Sequence, residues 1–117
     1  MQLSFAEIDG NVRHLKLAGN LDIAGTLAVE TKVLAHCGGE QPRVLIDLAE
    51  TRFVSSLGLR LLLQSIKTVA ARSGSISLLN PSIPVAGALE IAGLAAYIFR
   101  GAETAAAAAL KSNPSVS

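Results

Sequence analysis

One short segment, residues 46–59, constrains the fold of this chain more than any other part of it. It reads IDLAETRFVSSLGL: an apolar run ends in Asp47, a polar loop follows, and Ser55 and Ser56 begin a leucine-rich helix. The run Arg43–Leu48 is almost wholly apolar, which is typical of a strand covered on both faces of a parallel sheet. Functional loops of such sheets lie at the carboxyl ends of the strands. The segment therefore predicts a serine hydroxyl at that rim.

The rest of the chain alternates between strand-like and helix-like segments. Residues 2–8 and 12–18 flank the turn sequence Asp9-Gly10-Asn11, which predicts an antiparallel hairpin. Further strands are predicted at about 43–48, 76–79 and 97–99, and helices at about 23–36, 56–72, 84–92 and 102–111. This order predicts an α/β domain with a mixed, partly parallel sheet of about five strands and about four helices. A length of 117 residues fits one domain, 1–111, followed by a flexible tail at 112–117.

Helical and strand periodicity predict which side chains face the core. In the second strand Leu15 and Leu17 are expected inside, with His14 and Lys16 toward water. Asp22 is expected to cap the first helix. The predicted core positions of the first two helices are Leu27, Thr31, Leu34, Leu59, Leu62, Leu63, Ile66, Val69 and Ala70.

Two leucines of the second helix fall outside its predicted core stripe. Leu57 and Leu61 lie one turn apart on the face that also carries Arg60 and Lys67. Exposed apolar spots often mark sites where a partner binds. The spacing therefore predicts an apolar docking spot beside Ser56, although scattered surface leucines are also ordinary in folded proteins.

Composition excludes several classes of partner. The net charge is +1 with no basic run, which argues against nucleic acid and against direct contact with an acidic membrane. The longest apolar stretch, 85–99, is too short to cross a bilayer. Cys37 is the single cysteine, so an internal disulfide and a thiolate metal cluster are excluded. Residues 1–7 lack the features of a secretion signal, and we expect a cytoplasmic protein.

The segment at 46–59 resembles the signature of the STAS domain, the fold of bacterial anti-sigma factor antagonists. A second resemblance is the G-x-L-D quartet that ends in Asp22, about 30 residues upstream. Together these resemblances cover about residues 3–110. The residues that match the first signature are Asp47, Leu48, Ala49, Phe53, Ser55, Ser56, Gly58 and Leu59.

The resemblance implies a phosphorylation switch at Ser56. In the antagonists, the unphosphorylated form binds an anti-sigma factor, which is also a serine kinase using ATP and Mg²⁺, and so frees the sigma factor. Phosphorylation reverses the binding, and a metal-dependent serine phosphatase resets it. No cofactor or metal of the chain's own is implied. The partner-binding residues expected on this basis and from the helix pattern are Asp22, Ser55, Leu57, Gly58, Arg60, Leu61 and Gln64.

The chain departs from the family pattern at two positions. Many antagonists have an acid directly before the target serine, whereas this chain has Ser55, so two candidate hydroxyls lie side by side. The following residue is often small, and here it is Leu57. Ser56 remains the expected phosphorylation site, with Ser55 the lesser candidate, and the partner's identity stays open.

Two other functions compete with the switch. The chain resembles STAS modules that are permanent subunits of stress-signalling or lipid-transport complexes, in which Ser56 would only cap its helix. The other competitor is an enzyme. His14 and His36 are the only histidines, no G-x-S-x-G elbow surrounds Ser56, and the phosphate-binding G-x-x-x-x-G-K-[ST] motif is absent. We therefore expect no enzyme.

Overall fold

The computed structural model describes residues 1–112 and has one sheet with four helices. The strands are β1 (Gln2–Ile8), β2 (Val12–Leu21), β3 (Arg43–Asp47), β4 (Thr51–Val54), β5 (Ser75–Leu79) and β6 (Ile98–Phe99). The helices are α1 (Ile23–Ala35), α2 (Ser56–Ala71), α3 (Ile83–Ile91) and α4 (Glu103–Ser112), and a 3₁₀ turn at Ala95–Tyr97 precedes β6. Of the predicted tail, Ser112 ends α4, and positions 113–117 lie outside the described residues.

The sheet is mixed, as predicted, with the order β1-β2-β3-β5-β6 and with β4 paired to β2. Only β1 and β2 are antiparallel. Their connection contains Asp9 and Gly10 at positive φ, which is the hairpin chemistry that the sequence predicted. The α/β fold class is confirmed.

The sheet has six strands rather than five because the loop after β3 contains β4. Sequence reasoning missed this strand, in which Thr51 and Val54 are buried while Arg52 and Phe53 are exposed. Four residues with that pattern give no alternation to recognise. The strand matters for the site because it runs parallel to the last residues of β2, with Leu21 paired to Val54.

Hydrophobic side chains cover both faces of the sheet. Leu15 and Leu17 are fully buried on the face that carries α1, α2 and α3, as predicted. On the other face α4 contributes Ala106, Ala107 and Leu110 to a smaller cluster with Val12, Leu45 and Leu79. Consecutive residues of β3 therefore enter opposite cores, which explains its continuous apolar run. His14 lies on the α4 face and is half-buried, so its predicted exposure to water is wrong.

The buried stripe of α2 differs from the predicted one. Leu61 is 2% exposed and belongs to the core, whereas Leu63 is 38% exposed and Ala70 is also exposed. The prediction placed leucine, isoleucine, valine and alanine positions inside and passed over glycine and serine, although small residues let a helix approach a sheet closely. Gly58 and Ser65 lie on the buried face, and the Ser65 hydroxyl donates to the Leu61 carbonyl at 2.8 Å. The stripe is therefore turned by about one residue, and Leu61 is removed from the predicted docking spot.

The buried stripe of α1 is also shifted. Its buried residues are Gly25, Thr26, Val29 and Val33. Leu27 is 58% exposed and Thr31 is exposed, so the prediction that these two face the core is wrong. The helix is apolar on several faces, and the leucines did not identify the one that packs. Among the described residues, every helix is too short or too polar to span a bilayer.

Candidate functional site

The start of α2 assigns different roles to the two adjacent serines. Ser55 is the N-cap: its hydroxyl oxygen accepts from the Gly58 amide at 3.2 Å and donates to the Leu21 carbonyl at 2.8 Å. Ser56 is the first helical residue, is exposed, and makes no side-chain hydrogen bond with any described residue. The capping role that competed with a switch at Ser56 therefore belongs to Ser55.

The start of α1 repeats this arrangement. Asp22 is its N-cap, as predicted, and its carboxylate accepts from the Gly25 amide at 2.7 Å. In both helices the glycine is the third helical residue, and the cap comes three positions before it. The two helices thus begin with the same local geometry, one capped by a carboxylate and the other by a hydroxyl.

Both of these glycines allow close contact with the end of β2. A Cβ atom on Gly58 would lie 2.7 Å from the Leu21 carbonyl oxygen, and a Cβ on Gly25 would overlap the carbonyl oxygen of Asn20. The group that approaches Gly58 so closely is the end of the chain's own strand β2. Gly58 is buried, so its prediction as a partner-binding residue is wrong.

Strand pairing brings the two helix starts to one rim of the sheet. Because Leu21 pairs with Val54 in parallel, Asp22 and Ser55 follow at the same level, and the Ser55 amide also donates to the Leu21 carbonyl at 2.8 Å. The start of the loop after β2 therefore lies on the same rim as Ser56. Asp47 lies elsewhere, because β3 ends opposite Lys16 while β2 continues.

Ser56 lies in a shallow depression between the starts of α1 and α2. We call it the Ser56 rim; its lining residues are Ile23, Ser55, Ser56, Leu57 and Arg60. Ile23 is 65% exposed, Leu57 is half-buried, and Arg60 is exposed with no ion pair to a described residue. Of the predicted site residues, the structure thus brings Ser55, Ser56, Leu57 and Arg60 together at this rim. Asp22 lies beside them, at the end of the neighbouring strand β2.

Sequence reasoning missed the contribution of α1 to this surface. Ile23 and Leu27 are four residues apart and both exposed, so they lie on one face of the helix. Gln64 is exposed on α2, four residues after Arg60 on the same side. The apolar spot therefore extends from Leu57 toward α1 rather than along α2 to Leu61. The signal available in the sequence was the apolar pair Ile23 and Leu27, four positions apart on a face of α1 that does not pack into the core.

The electrostatics of the rim favour negative charge. The N-termini of α1 and α2 both lie at the rim, and a helix N-terminus carries a partial positive charge from its unpaired amides. Arg60 adds a full positive charge one turn into α2. Asp22 is the opposing group, although its carboxylate is engaged by the Gly25 amide. The rim can accept an anion on Ser56 without disturbing the core.

Neither histidine lines the Ser56 rim. His36 follows α1 at its far end, where the Arg13 guanidinium donates to the carbonyls of His36 and Gly38, each at 2.7 Å. The His36 ring stacks on Phe5 with centroids 4.1 Å apart, and burial together with the Arg13 charge lowers the pKa of His36. Arg13, rather than His36, therefore supplies the positive charge at this helix end.

The other histidine belongs to a polar cluster on the α4 face. The His14 Nε2 lies 3.0 Å from an oxygen of Asp47 and 3.4 Å from an oxygen of Glu103. Lys16 forms an ion pair with Glu50 beside this cluster. The hydrogen bond and charge of Glu50, with smaller effects from Asp47 and Glu103, raise the pKa of Lys16. Among the described residues, His14, Asp47 and Glu103 form the one group of possible ligands whose spacing suits a metal ion.

Comparison with known proteins agrees with this architecture. The profile of a protein family described as "Mlab, STAS domain" matches residues 4–100. No curated protein matches the sequence significantly.

Solved structures with the same fold come from several organisms. The anti-sigma factor antagonist SpoIIAA in its unphosphorylated form superposes with a TM-score of 0.82 at 20% identity, covering 95% of this chain and 97% of that one. The phosphorylated form of SpoIIAA from Bacillus gives 0.73 at 20% identity, with 90% and 96% covered. An anti-sigma-factor antagonist (STAS) domain protein of Planctomyces limnophilus gives 0.80 at 17%, with 93% and 97% covered.

One similar structure is a domain of a much larger protein. The murine anion transporter Slc26a9 superposes with a TM-score of 0.70 at 15% identity, covering 92% of this chain and 22% of that one. At these identities the likeness establishes the fold, and it spans both free-standing proteins and part of a transporter.

Proposed function

The chain belongs to the STAS domain family, and we propose that it acts as an anti-sigma factor antagonist controlled by phosphorylation of Ser56. In this proposal the unphosphorylated form binds an anti-sigma factor that is also a serine kinase, and the sigma factor is released. Phosphorylation ends the binding, and a metal-dependent serine phosphatase restores it. The kinase supplies the ATP and Mg²⁺ site, the chain itself catalyses nothing, and the exchange takes place in the cytoplasm.

The exposed hydroxyl of Ser56 is the observation that carries this proposal. A kinase has to reach the hydroxyl group of its substrate serine. The Ser56 side chain is exposed and forms no hydrogen bond with a described residue. Ser55 is half-buried and donates to the Leu21 carbonyl, so its oxygen is committed to the fold. The proposal therefore assigns the phosphate to Ser56 and a supporting role to Ser55.

The position of Ser56 lets the phosphate act on binding rather than on folding. A phosphoserine carries a charge of about −1.5 to −2 at pH 7. At the first turn of a helix an anion is favourable by about 0.3–1 kcal/mol, so the domain is expected to stay folded. Arg60 lies one turn along and adds to this tolerance.

Phosphorylation of Ser56 is expected to destabilise the complex with a partner, although it leaves the domain itself folded. A protein bound over the Ser56 rim covers apolar side chains, Ile23 and Leu57, and has to desolvate whatever Ser56 carries. Burying an unpaired charge costs several kcal/mol. A micromolar complex has a binding free energy of only about 8 kcal/mol. One phosphate is therefore sufficient to weaken such a complex by orders of magnitude.

The direct test is phosphate transfer by the cognate kinase. The protein is incubated with the kinase and Mg·ATP, and the intact mass is measured for wild type, Ser56→Ala and Ser55→Ala. We expect one phosphate on wild type and on Ser55→Ala, and none on Ser56→Ala. A phosphate that persists on Ser56→Ala moves the site elsewhere and defeats the proposal.

A second candidate function is a permanent subunit of a larger complex. Two observations favour it: the matching family is described by the name Mlab rather than as an antagonist, and the same fold forms part of a transporter chain. If the chain is such a subunit, Ile23, Leu27 and Leu57 form a permanent contact with another part of the complex. Co-purification that resists salt and ignores nucleotide supports the subunit, whereas release of the partner on incubation with ATP supports the switch.

A further inference from the structure

The polar cluster on the α4 face has the composition of a metal site. It joins one imidazole and two carboxylates from three different elements: His14 on β2, Asp47 at the end of β3, and Glu103 at the start of α4. These three residues are far apart along the chain. No local motif links them, which is why the sequence predicted no metal ligand here.

The spacing of the ligand atoms fits a small tetrahedral ion. Zinc binds histidine nitrogen and carboxylate oxygen at about 2.0–2.2 Å, which places neighbouring ligand atoms about 3.3–3.6 Å apart. The Nε2 of His14 lies 3.0 Å from the Asp47 oxygen and 3.4 Å from the Glu103 oxygen, and all three atoms lie within 4.8 Å of one another. Zinc binding therefore requires the His14–Asp47 contact to lengthen by about 0.3 Å and the half-exposed Glu103 side chain to adjust its oxygen to the same spacing.

The second oxygen of Asp47 is held in place independently of the cluster. It accepts a hydrogen bond from the Ala49 amide at 3.0 Å, in the turn that follows β3. Metal-binding carboxylates are usually oriented by such a second contact. Asp47 therefore presents its other oxygen to His14 in a fixed direction, as a single-atom ligand should.

The charge balance around the cluster favours a cation. Asp47 and Glu103 both lie beside a single imidazole nitrogen, which carries at most one proton and so donates fully to one of them. Lys16, whose charge also acts on Asp47 and Glu103, forms its ion pair with Glu50. Among the described residues no arginine or lysine forms an ion pair with Asp47 or Glu103. A divalent ion supplies the missing positive charge.

We infer that His14, Asp47 and Glu103 bind a zinc-class divalent ion that fastens α4 to the sheet. An imidazole with two carboxylates suits late first-row ions better than Mg²⁺, which prefers oxygen ligands. Glu103 is 49% exposed, which gives the ion a path in and leaves the fourth position to water. His14 and Asp47 are 12% and 13% exposed, so the inner side of the site is shielded. The inference is independent of the switch proposed at Ser56.

Titration of the chelator-treated full chain with zinc chloride tests the inference. We expect one zinc per wild-type chain by calorimetry and a higher melting temperature in zinc, with no such shift in magnesium chloride. Glu103→Gln keeps the size of the side chain but weakens a carboxylate ligand, and we expect it to bind zinc at least tenfold more weakly. Glu50→Gln is the matched control, since this neighbouring acid is outside the cluster and should bind as wild type does.

Two results overturn the inference. One is a wild-type chain without saturable zinc uptake. The other is Glu103→Gln binding as tightly as wild type, which places the ion elsewhere, for example at His36 and Cys37. His14→Gln provides a second variant with the same expected loss. Should it fail to fold, Glu103→Gln alone decides, because residue 103 is half-exposed on the first turn of its helix.

Discussion

The Ser55 hydroxyl and the Leu21 carbonyl oxygen form a 2.8 Å hydrogen bond that joins the start of α2 to the end of β2. The same hydroxyl oxygen accepts from the Gly58 amide, so one side chain serves both the strand and the helix. Its neighbour Ser56 takes part in neither contact. Ser55 therefore stabilises the fold, whereas Ser56 belongs to the surface. The two serines are expected to respond differently to substitution.

Removing the two hydroxyls separately should affect stability unequally. Ser55→Ala deletes a helix cap and is expected to lower the free energy of unfolding by about 1–2 kcal/mol. Ser56→Ala removes an exposed hydroxyl without a described partner and is expected to change it by less than about 0.5 kcal/mol. Urea unfolding followed by circular dichroism measures both. Equal losses would show that Ser56 shares the capping role.

A negative charge at Ser56 should separate binding from folding. We expect Ser56→Asp to change the free energy of unfolding by less than about 1 kcal/mol, because an acid suits the first turn of a helix. We expect the same variant to bind the proposed anti-sigma partner at least tenfold more weakly, as measured by calorimetry.

Thr104→Asp is the matched control for that experiment. Thr104 is an exposed hydroxyl residue in the first turn of α4, on the opposite face of the sheet. It should tolerate aspartate equally well and leave partner binding unchanged. Equal weakening by both variants would indicate a nonspecific charge effect, and unfolding of Ser56→Asp would contradict the tolerance of the rim for an anion.

Two helical glycines should respond to alanine in opposite directions. In Gly58→Ala the new Cβ would lie 2.7 Å from the Leu21 carbonyl oxygen and 2.9 Å from Val54 Cγ2, so we expect a loss of about 1–3 kcal/mol from overpacking. Gly87 lies inside α3, and a Cβ there meets nothing within 4 Å. Gly87→Ala should therefore stabilise the protein by up to about 1 kcal/mol through helix propensity. Denaturant midpoints compare the two, and a stable Gly58→Ala would refute the close contact.

His36 should make the protein less stable in mild acid. Burial and the Arg13 charge lower its pKa in the folded state below the ordinary value of 6.5, so the unfolded chain binds the proton more readily. This contribution to stability is complete above about pH 6.5 and is lost as the pH falls below it. We expect the melting temperature to drop between pH 7.5 and 5.5, and to drop less in His36→Phe, which keeps a ring against Phe5. An unchanged drop in the variant would assign the effect to other groups.

The parts of the fold that sequence predicted are those with strong local signals. The Asp9-Gly10 turn defines the first hairpin, the apolar run 43–48 defines the central strand, and the alanines of 105–109 define α4 through propensity. In contrast, β4 was missed because its pairing depends on where β2 ends, a relationship between residues about 30 positions apart.

The sequence predicted an exposed serine at the start of α2, and it predicted the surface around that serine less well. The exposed position of Ser56 agrees with the prediction from the serine pair and its loop, while its phosphorylation stays a prediction. The buried face of α2 was misplaced because glycine and serine, at positions 58 and 65, pack where leucine was expected. Ile23 was overlooked because contact between α1 and α2 is a tertiary feature. The cluster around His14 had no local signal at all.

The paired glycines at the third positions of α1 and α2 have an evolutionary consequence. Both helices are held by their buried stripes, by their caps and by close contact with the main chain of Asn20 and Leu21, so the exposed side chains of Ile23 and Arg60 contribute little to that attachment. Duplicated copies of such a gene can exchange those outer residues freely while the scaffold survives. Paralogues can thereby acquire different binding surfaces on one shared architecture.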